Sequence, residues 1–292
     1  MAYFRKTRPP LGDRSITIAL DEVSISLGGL DDGLAERLLS RYAPYASASD
    51  GASASLRVRL FSDERPYFID PPDVPEVNPV LLACDGRRVR YLGYQVAGWF
   101  DSAGGEGQIV LARGTFEPDV RAIENYVRSA TAWLAAERGG ALVHAASAVL
   151  GERGYLFYGP SGAGKSTLSA CNTRARILSD DLSLVLPAAG GGLDLTGSPF
   201  RGTYTGGPPV VGRFTLVAGF RIVKAPFAEV RSAPRVRVFA ELVANLPFVV
   251  DAFPTRPDLF ERFERTFANL QLSHLHFRKD DSYWEAIAAA GL

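Results

Sequence analysis

The sequence contains few cysteines, no excess of charge of either sign and no long apolar run. Two cysteines, Cys84 and Cys171, are too few for a disulfide framework or for a four-ligand zinc site of their own. The 32 lysines and arginines balance the 32 aspartates and glutamates, so the basic excess typical of nucleic-acid-binding proteins is missing. No apolar run approaches the roughly 18 residues that a membrane-spanning helix needs. We therefore expect neither nucleic acid nor a membrane as a partner.

The composition is otherwise that of an ordinary globular protein. Hydrophobic residues make up 47% and charged residues 22% of the 292 positions, which argues against wholesale disorder. A chain of this length can form one large domain or two ordinary ones. The charged residues within positions 1–10 are not followed by the apolar stretch of a secretory signal. A cytoplasmic protein with a packed core is the resulting expectation.

Residue patterns divide the chain into two parts that a helix joins. Residues 1–117 contain short runs of alternating apolar and polar residues, such as Arg14–Leu20, and one short amphipathic helix, which predicts a small α+β domain. Apolar residues recur at helical spacing over residues 118–138, between Pro118 and a pair of glycines, which predicts a connecting helix. Residues 139–292 then form the second domain. The first domain is a candidate for recognising a substrate.

One segment of the second domain carries a recognisable chemical motif. Residues 159–167, GPSGAGKST, match the pattern G-x-x-x-x-G-K-[ST] and lie between an apolar strand pattern and a helix-compatible run. In this motif the glycines let backbone amides surround phosphate oxygens, the lysine supplies positive charge, and the serine hydroxyl is a ligand for Mg²⁺. The motif predicts a nucleoside-triphosphate site. The residues expected to bind the nucleotide are Gly159, Ser161, Gly162, Ala163, Gly164, Lys165, Ser166 and Thr167.

Two neighbouring acids follow this motif. Asp180 and Asp181 come at the end of a short apolar strand pattern, and consecutive strand residues reach one site only where the strand ends. Phosphoryl transfer needs a carboxylate near Mg²⁺ and often another to orient or deprotonate the nucleophile. Two interpretations stay open for His144, which lies upstream in an apolar run: a histidine satisfied in the core, or an imidazole that faces the γ-phosphate.

These features, in this order, resemble the catalytic domain of the bacterial HPr kinase/phosphorylase family, whose superfamily includes the ATP-dependent phosphoenolpyruvate carboxykinases. The resemblance covers residues 138–205 and rests on His144, the 159–167 loop, the two aspartates and Ser198–Gly202. It implies an α/β fold, with a P-loop kinase domain of the HPr kinase/phosphoenolpyruvate carboxykinase type preceded by a smaller α+β N-terminal domain. It also implies assembly into a homo-oligomer.

The resemblance assigns a role to each matching residue. Lys165 and Ser166 would hold the phosphates and the metal, and Asp180 would contact Mg²⁺. Asp181 would be the catalytic base toward a hydroxyl. His144 would assist with charge near the transferred phosphoryl group.

Arg201 completes the expected catalytic residues, because it matches the arginine of an E-I-R-G-like stretch in the family. The acid of that stretch does not match, since Pro199 stands in its place. The leading hypothesis is an ATP- and Mg²⁺-dependent kinase that acts on a hydroxyl of a protein, a peptide or a small metabolite. The missing acid supports a second hypothesis, a nucleotide-binding module or ATPase without kinase activity. Carboxykinase-like chemistry ranks below both, since a clear second lysine and histidine metal set is missing.

The C-terminal stretch offers weaker patterns. The basic residues of 221–237 are interpreted as a solvated strand or loop face rather than as a clamp on ATP or substrate. An apolar stripe over residues 258–270 predicts a helix that packs in the core or at an oligomer contact. His274 and His276 share one face of a predicted strand, but two ligands without a third give little support for a metal site.

Overall fold

The computed structural model describes residues 8–49, 51–73 and 79–292. The chain forms two compact units, of which the first ends at Leu134 and the second covers Ala135–Leu292. Each unit is built around one eight-stranded sheet. The helix expected between the units is present and is counted largely with the first of them.

Two strands of the first unit, Arg14–Leu20 and Leu56–Asp63, alternate buried with more exposed residues, so each buries one face of the sheet. The strand order in this sheet is β3-β1-β2-β4-β8-β7-β6-β5. The strands are β1 (Arg14–Leu20), β2 (Val23–Leu30), β3 (Ala46–Ala48), β4 (Leu56–Asp63), β5 (Leu81–Asp85), β6 (Arg88–Leu92), β7 (Val96–Asp101) and β8 (Gly105–Ala112). The helices that accompany them are α1 (Asp32–Tyr42) and α2 (Asp119–Glu137), of which the second crosses the boundary between the units.

The second unit contains the loop expected to bind phosphate, between its second strand and its first complete helix. Its strands are β9 (Ala141–Leu150), β10 (Arg153–Tyr158), β11 (Arg176–Ser179), β12 (Leu182–Pro187), β13 (Leu193–Thr196), β14 (Arg213–Lys224), β15 (Glu229–Arg231) and β16 (Gln271–Phe277). Its helices are α3 (Lys165–Cys171), α4 (Arg235–Val243), α5 (Pro257–Phe267) and α6 (Tyr283–Ala289), and a short 3₁₀ helix covers Val250–Ala252. In the part of the chain that the structure describes, no helix has both the length and the apolar character needed to cross a membrane.

Five strands of the second unit close into a barrel, because β9 pairs with β10 and β12, β13 joins β12 to β14, and β14 pairs with β10. Strands β16 and β15 extend the sheet beyond β14, and β11 pairs with β9. In this sheet the pairs β10–β14 and β14–β16 are parallel and the others are antiparallel.

This architecture corrects the expected fold class. Over the described residues the fold is mostly β, with only 24% helix. The prediction of an α/β P-loop kinase domain of the HPr kinase/phosphoenolpyruvate carboxykinase type behind a smaller α+β domain is therefore wrong. The physical reason lies in the connections. Strands β9 and β10, and β12 and β13, follow each other through short turns and pair antiparallel, whereas an α/β sheet needs helical crossovers between parallel strands.

An aromatic cluster holds together β10 and α3, the strand and helix on either side of the 159–167 loop. Phe157 of β10 stacks on Phe220 of β14 with ring centroids 5.8 Å apart. Tyr283 and Trp284 of α6 pack edge-on against Phe157, and Leu168 of α3 is buried in the same cluster. Because aromatic side chains bury large areas, this cluster fixes α3 against β10 and thereby positions the loop between them.

Candidate functional site

The loop of residues 159–167 connects the end of β10 to the start of α3. Gly162 and Gly164 have φ angles of 75° and 110°, in the region that favours glycine. A Cβ atom at Gly164 would also lie 2.8 Å from the Cζ atom of Phe277, which no side chain tolerates without movement. Two independent constraints therefore require glycine at this point of the turn.

Lys165 is folded back onto its own loop. Its Nζ atom donates hydrogen bonds to the carbonyl oxygens of Gly159, at 2.8 Å, and Pro160, at 3.3 Å. Burial lowers the pKa of Lys165; the charge of Asp181 opposes this effect and that of Arg221 adds to it. The loop carbonyls thus hold the charged amine of Lys165 in a position where burial disfavours its charge. An anionic partner would stabilise that charge.

The loop opens onto a cleft with a volume of about 460 Å³, which we call the phosphate-loop cleft. Its walls are the loop itself, the two acids after β11, a short segment after β13 and the end of β14. The lining residues are His144, Ser161, Gly162, Gly164, Lys165, Ser166, Thr167, Asp180, Asp181, Gly202, Thr203 and Lys224. The structure therefore brings the expected lysine, serine, histidine and both aspartates together, whereas Gly159 and Ala163 lie outside the lining.

His144 and Asp181 form a pair at this cleft. The Nε2 atom of His144 lies 3.4 Å from the Oδ1 atom of Asp181, and the two side chains are 37% and 28% exposed. His144 stands opposite Leu182 in the β9–β12 register, which places it beside the end of β11. Of the two interpretations of this histidine, the geometry favours the one in which the imidazole faces the cleft.

The two neighbouring acids have different surroundings. Asp180 is only 2% exposed, and its carboxylate accepts hydrogen bonds from the backbone amides of Gly202, Thr203 and Tyr204 at 2.7, 3.0 and 3.0 Å. Both of its carboxylate oxygens are engaged in this way. Asp180 therefore holds the 202–204 segment against the cleft, and Asp181 is the acid with the more accessible carboxylate.

Arg201 is not brought into this group. Its guanidinium donates hydrogen bonds to the carbonyl oxygens of Gly207 and Pro208, at 3.3 and 3.0 Å, and Arg201 does not line the cleft. The expected catalytic placement of this arginine therefore differs from the observed one, in which it braces the loop that follows it.

Lys224 lines the cleft, which differs from the solvated basic face expected for residues 221–237. It ends β14 and stands opposite Phe277 in the β14–β16 register, and Phe277 packs against Gly164 of the loop. The parallel pairing of β10 with β14 is what carries this lysine to the loop. No local sequence signal announces a pairing between strands so far apart in the chain.

The donor set suits Mg²⁺ held jointly with phosphate rather than a closed metal site. Among the described residues, no three histidine, cysteine, aspartate or glutamate side chains come together as a metal-binding group. Mg²⁺ characteristically keeps several waters and uses one or two carboxylates together with substrate phosphates. Ser166 and the neighbouring carboxylates of Asp180 and Asp181, all in the lining, are donors of that kind. His274, which together with His276 is a weak candidate metal ligand in the sequence, contacts Glu241, with 2.7 Å between Nε2 and Oε2.

A scan against protein-family models finds no family that matches this chain, and a search of curated proteins finds no matching relative.

Proposed function

We propose that the second unit is a Mg²⁺-dependent phosphotransferase that moves the γ-phosphate of ATP to a hydroxyl group. The observation that carries this proposal is the convergence of a glycine-rich loop, Lys165, Ser166 and the His144–Asp181 pair on one cleft. The proposal rests on this site and not on the fold class.

The loop side of the cleft supplies phosphate binding. Phosphate oxygens are stronger acceptors than the carbonyls of Gly159 and Pro160 because they carry charge, so the Lys165 amine would exchange one set for the other. The Ser166 hydroxyl would hold Mg²⁺ together with the phosphates, and Mg²⁺ when bound neutralises charge on them. Lys224 adds a second cation beside Gly164 of the loop.

The acid side of the cleft supplies acceptor activation. An acceptor hydroxyl that donates a hydrogen bond to Asp181 is oriented toward the γ-phosphorus. As the new oxygen–phosphorus bond forms, the hydroxyl proton passes to the carboxylate, the bond from the γ-phosphorus to the β–γ bridging oxygen breaks, and its electron pair leaves with ADP. His144, 3.4 Å from Asp181, orients this carboxylate and provides a nearby group that can share the proton.

A second candidate is an ATPase or a nucleotide-binding module. The engagement of both Asp180 oxygens by backbone amides favours it, because one carboxylate expected to contact Mg²⁺ has a structural partner instead. In that case phosphate passes to water or is not transferred at all.

The homo-oligomer implied by the resemblance stays a prediction. A cytoplasmic location is proposed because Cys84 and Cys171 are both reduced thiols, as is usual in a reducing compartment.

The test separates binding from transfer. Calorimetry with Mg²⁺ and a non-hydrolysable ATP analogue measures binding, and γ-labelled ATP with serine, threonine, short hydroxyl peptides and sugars measures transfer. Asp181→Asn should keep the affinity within about threefold and lower transfer by about 100-fold or more. Asp251→Asn, an exposed acid of the same unit, is the matched control and should change neither. An absence of binding heat with the wild type would refute the proposal.

A further inference from the structure

The segment Gly202–Tyr204 contributes Gly202 and Thr203 to the lining of the phosphate-loop cleft. Three backbone amides of this segment donate hydrogen bonds to Asp180, and the ring of Tyr204 packs against the aromatic cluster beneath the cleft. Thr203, between these anchors, is exposed and lines the same cleft as Lys165. The fold therefore fixes the backbone of Thr203 beside the phosphate-binding residues.

The backbone of Gly202 lies in close contact with the side chains of Asp180 and Asp181. A Cβ atom at Gly202 would lie 3.2 Å from the Cβ atom of Asp181 and 3.0 Å from an oxygen of Asp180. The absence of a side chain at Gly202 permits this approach and leaves the Thr203 hydroxyl as the next polar group along the chain. Within the described residues, the Thr203 hydroxyl makes no hydrogen bond, so it is available to an incoming group.

We infer that Thr203 is a phosphorylation site of the protein's own cleft, modified within the same molecule. The inference rests on the proposed function. The Thr203 oxygen attacks the γ-phosphorus of ATP, and the bond from that phosphorus to the β–γ bridging oxygen breaks. Its electron pair leaves with ADP, and the hydroxyl proton passes to the Asp181 carboxylate. The products are ADP and a phosphothreonine whose charge faces Lys165 and Lys224, which line the same cleft.

The neighbouring threonine provides an internal control. Thr205 is also exposed and lies two residues further along the same loop, but it does not line the cleft. If phosphorylation depended only on surface exposure, Thr203 and Thr205 would be phosphorylated to similar extents. Placement by the cleft predicts modification of Thr203 alone.

The experiment incubates the full chain with Mg²⁺ and γ-labelled ATP and locates the phosphate by mass spectrometry of peptides. Label is expected on Thr203, retained in Thr203→Ser, reduced to background in Thr203→Val, and unchanged in Thr205→Val. Asp181→Asn should lower the labelling rate by about 100-fold or more. Because the reaction is intramolecular, the fraction labelled per unit time should not change over an approximately tenfold dilution of the protein.

The outcomes separate the inference from the proposed function. Binding of the ATP analogue together with hydrolysis or transfer to another acceptor, but without label on Thr203, overturns the inference alone. Labelling that slows on dilution overturns the intramolecular step. A wild type that does not bind the analogue overturns both. Should Thr203→Val fail to fold, as judged by thermal unfolding, the peptide map of the wild type and the Thr203→Ser variant still decides.

Discussion

Lys224 lies in the phosphate-loop cleft with its Cε atom 3.5 Å from the position that a Cβ atom of Gly164 would take. Within the described part of the chain, its amine has no acidic partner. A charge-assisted hydrogen bond to phosphate contributes about 1.5–3 kcal/mol, so Lys224→Met should weaken binding of the Mg²⁺–ATP analogue by about tenfold or more in calorimetry. Lys279→Met removes an exposed lysine that does not line the cleft and should leave the affinity unchanged. Equal affinities for the two variants would remove Lys224 from the site.

Asp63 in the first unit is a residue whose ionisation contributes to stability. Burial alone would raise its pKa, but hydrogen bonds from Arg65 and Arg8, at 2.9 and 2.8 Å, lower the pKa to about 2 from 3.8. An acid with a depressed pKa in the folded state stabilises the protein above its unfolded pKa and loses that contribution as the pH falls.

Asp63→Asn should therefore lower the free energy of unfolding by about 1–2 kcal/mol at neutral pH. The difference from the wild type should shrink between pH 3.8 and about 2, where the carboxyl becomes protonated in both states. Urea unfolding at several pH values measures it, with Asp85→Asn, an exposed acid of the same unit, as control. A deficit that is the same at both ends of this range would contradict the assignment.

At the scale of elements, the junction of β10, the loop and α3 depends on the approach of Phe277 to Gly164. Gly164→Ala adds both backbone strain and a contact at 2.8 Å, whereas Gly162→Ala adds strain at a position with nothing within 4 Å of the new Cβ. Strain of this kind costs about 1–2 kcal/mol. We expect thermal unfolding to show a larger loss for Gly164→Ala than for Gly162→Ala, and Phe277→Leu to reduce that difference. Equal losses in the two glycine variants would mean that Phe277 does not constrain the loop.

At the scale of the whole molecule, local patterns predict elements better than they predict how the elements pair. The alternation in Arg14–Leu20 is confirmed as β1, and the helix expected over 118–138 is observed as Asp119–Glu137. The stripe expected over 258–270 forms a helix, α5, whose Leu259, Phe263 and Phe267 are buried. Local periodicity suffices for such elements because each reports only which of its own faces is buried.

Pairing between distant strands is what local periodicity leaves out. The barrel closes through β10 and β14, which lie far apart in the chain, and an apolar strand has the same pattern in a barrel as in an α/β sheet. The same difficulty hid the use of Asp180, because its partners are backbone amides after β13 and carry no side-chain signature. The loop motif could be found because the residues that define it are consecutive in the sequence.

Ligand binding to one unit of the chain should protect that unit selectively. Because a ligand stabilises only the structure that binds it, by about 2.7 kcal/mol at 100 times its dissociation constant, amide exchange should slow mainly within Ala135–Leu292. The largest effect is expected in the 159–167 loop and the 202–204 segment, which share the cleft. Hydrogen exchange of the full chain with and without Mg²⁺ and the ATP analogue measures this, and Lys165→Met is the control that should lose the protection. Slowed exchange confined to the first unit would place the nucleotide outside the phosphate-loop cleft and reject the site from which the function is argued.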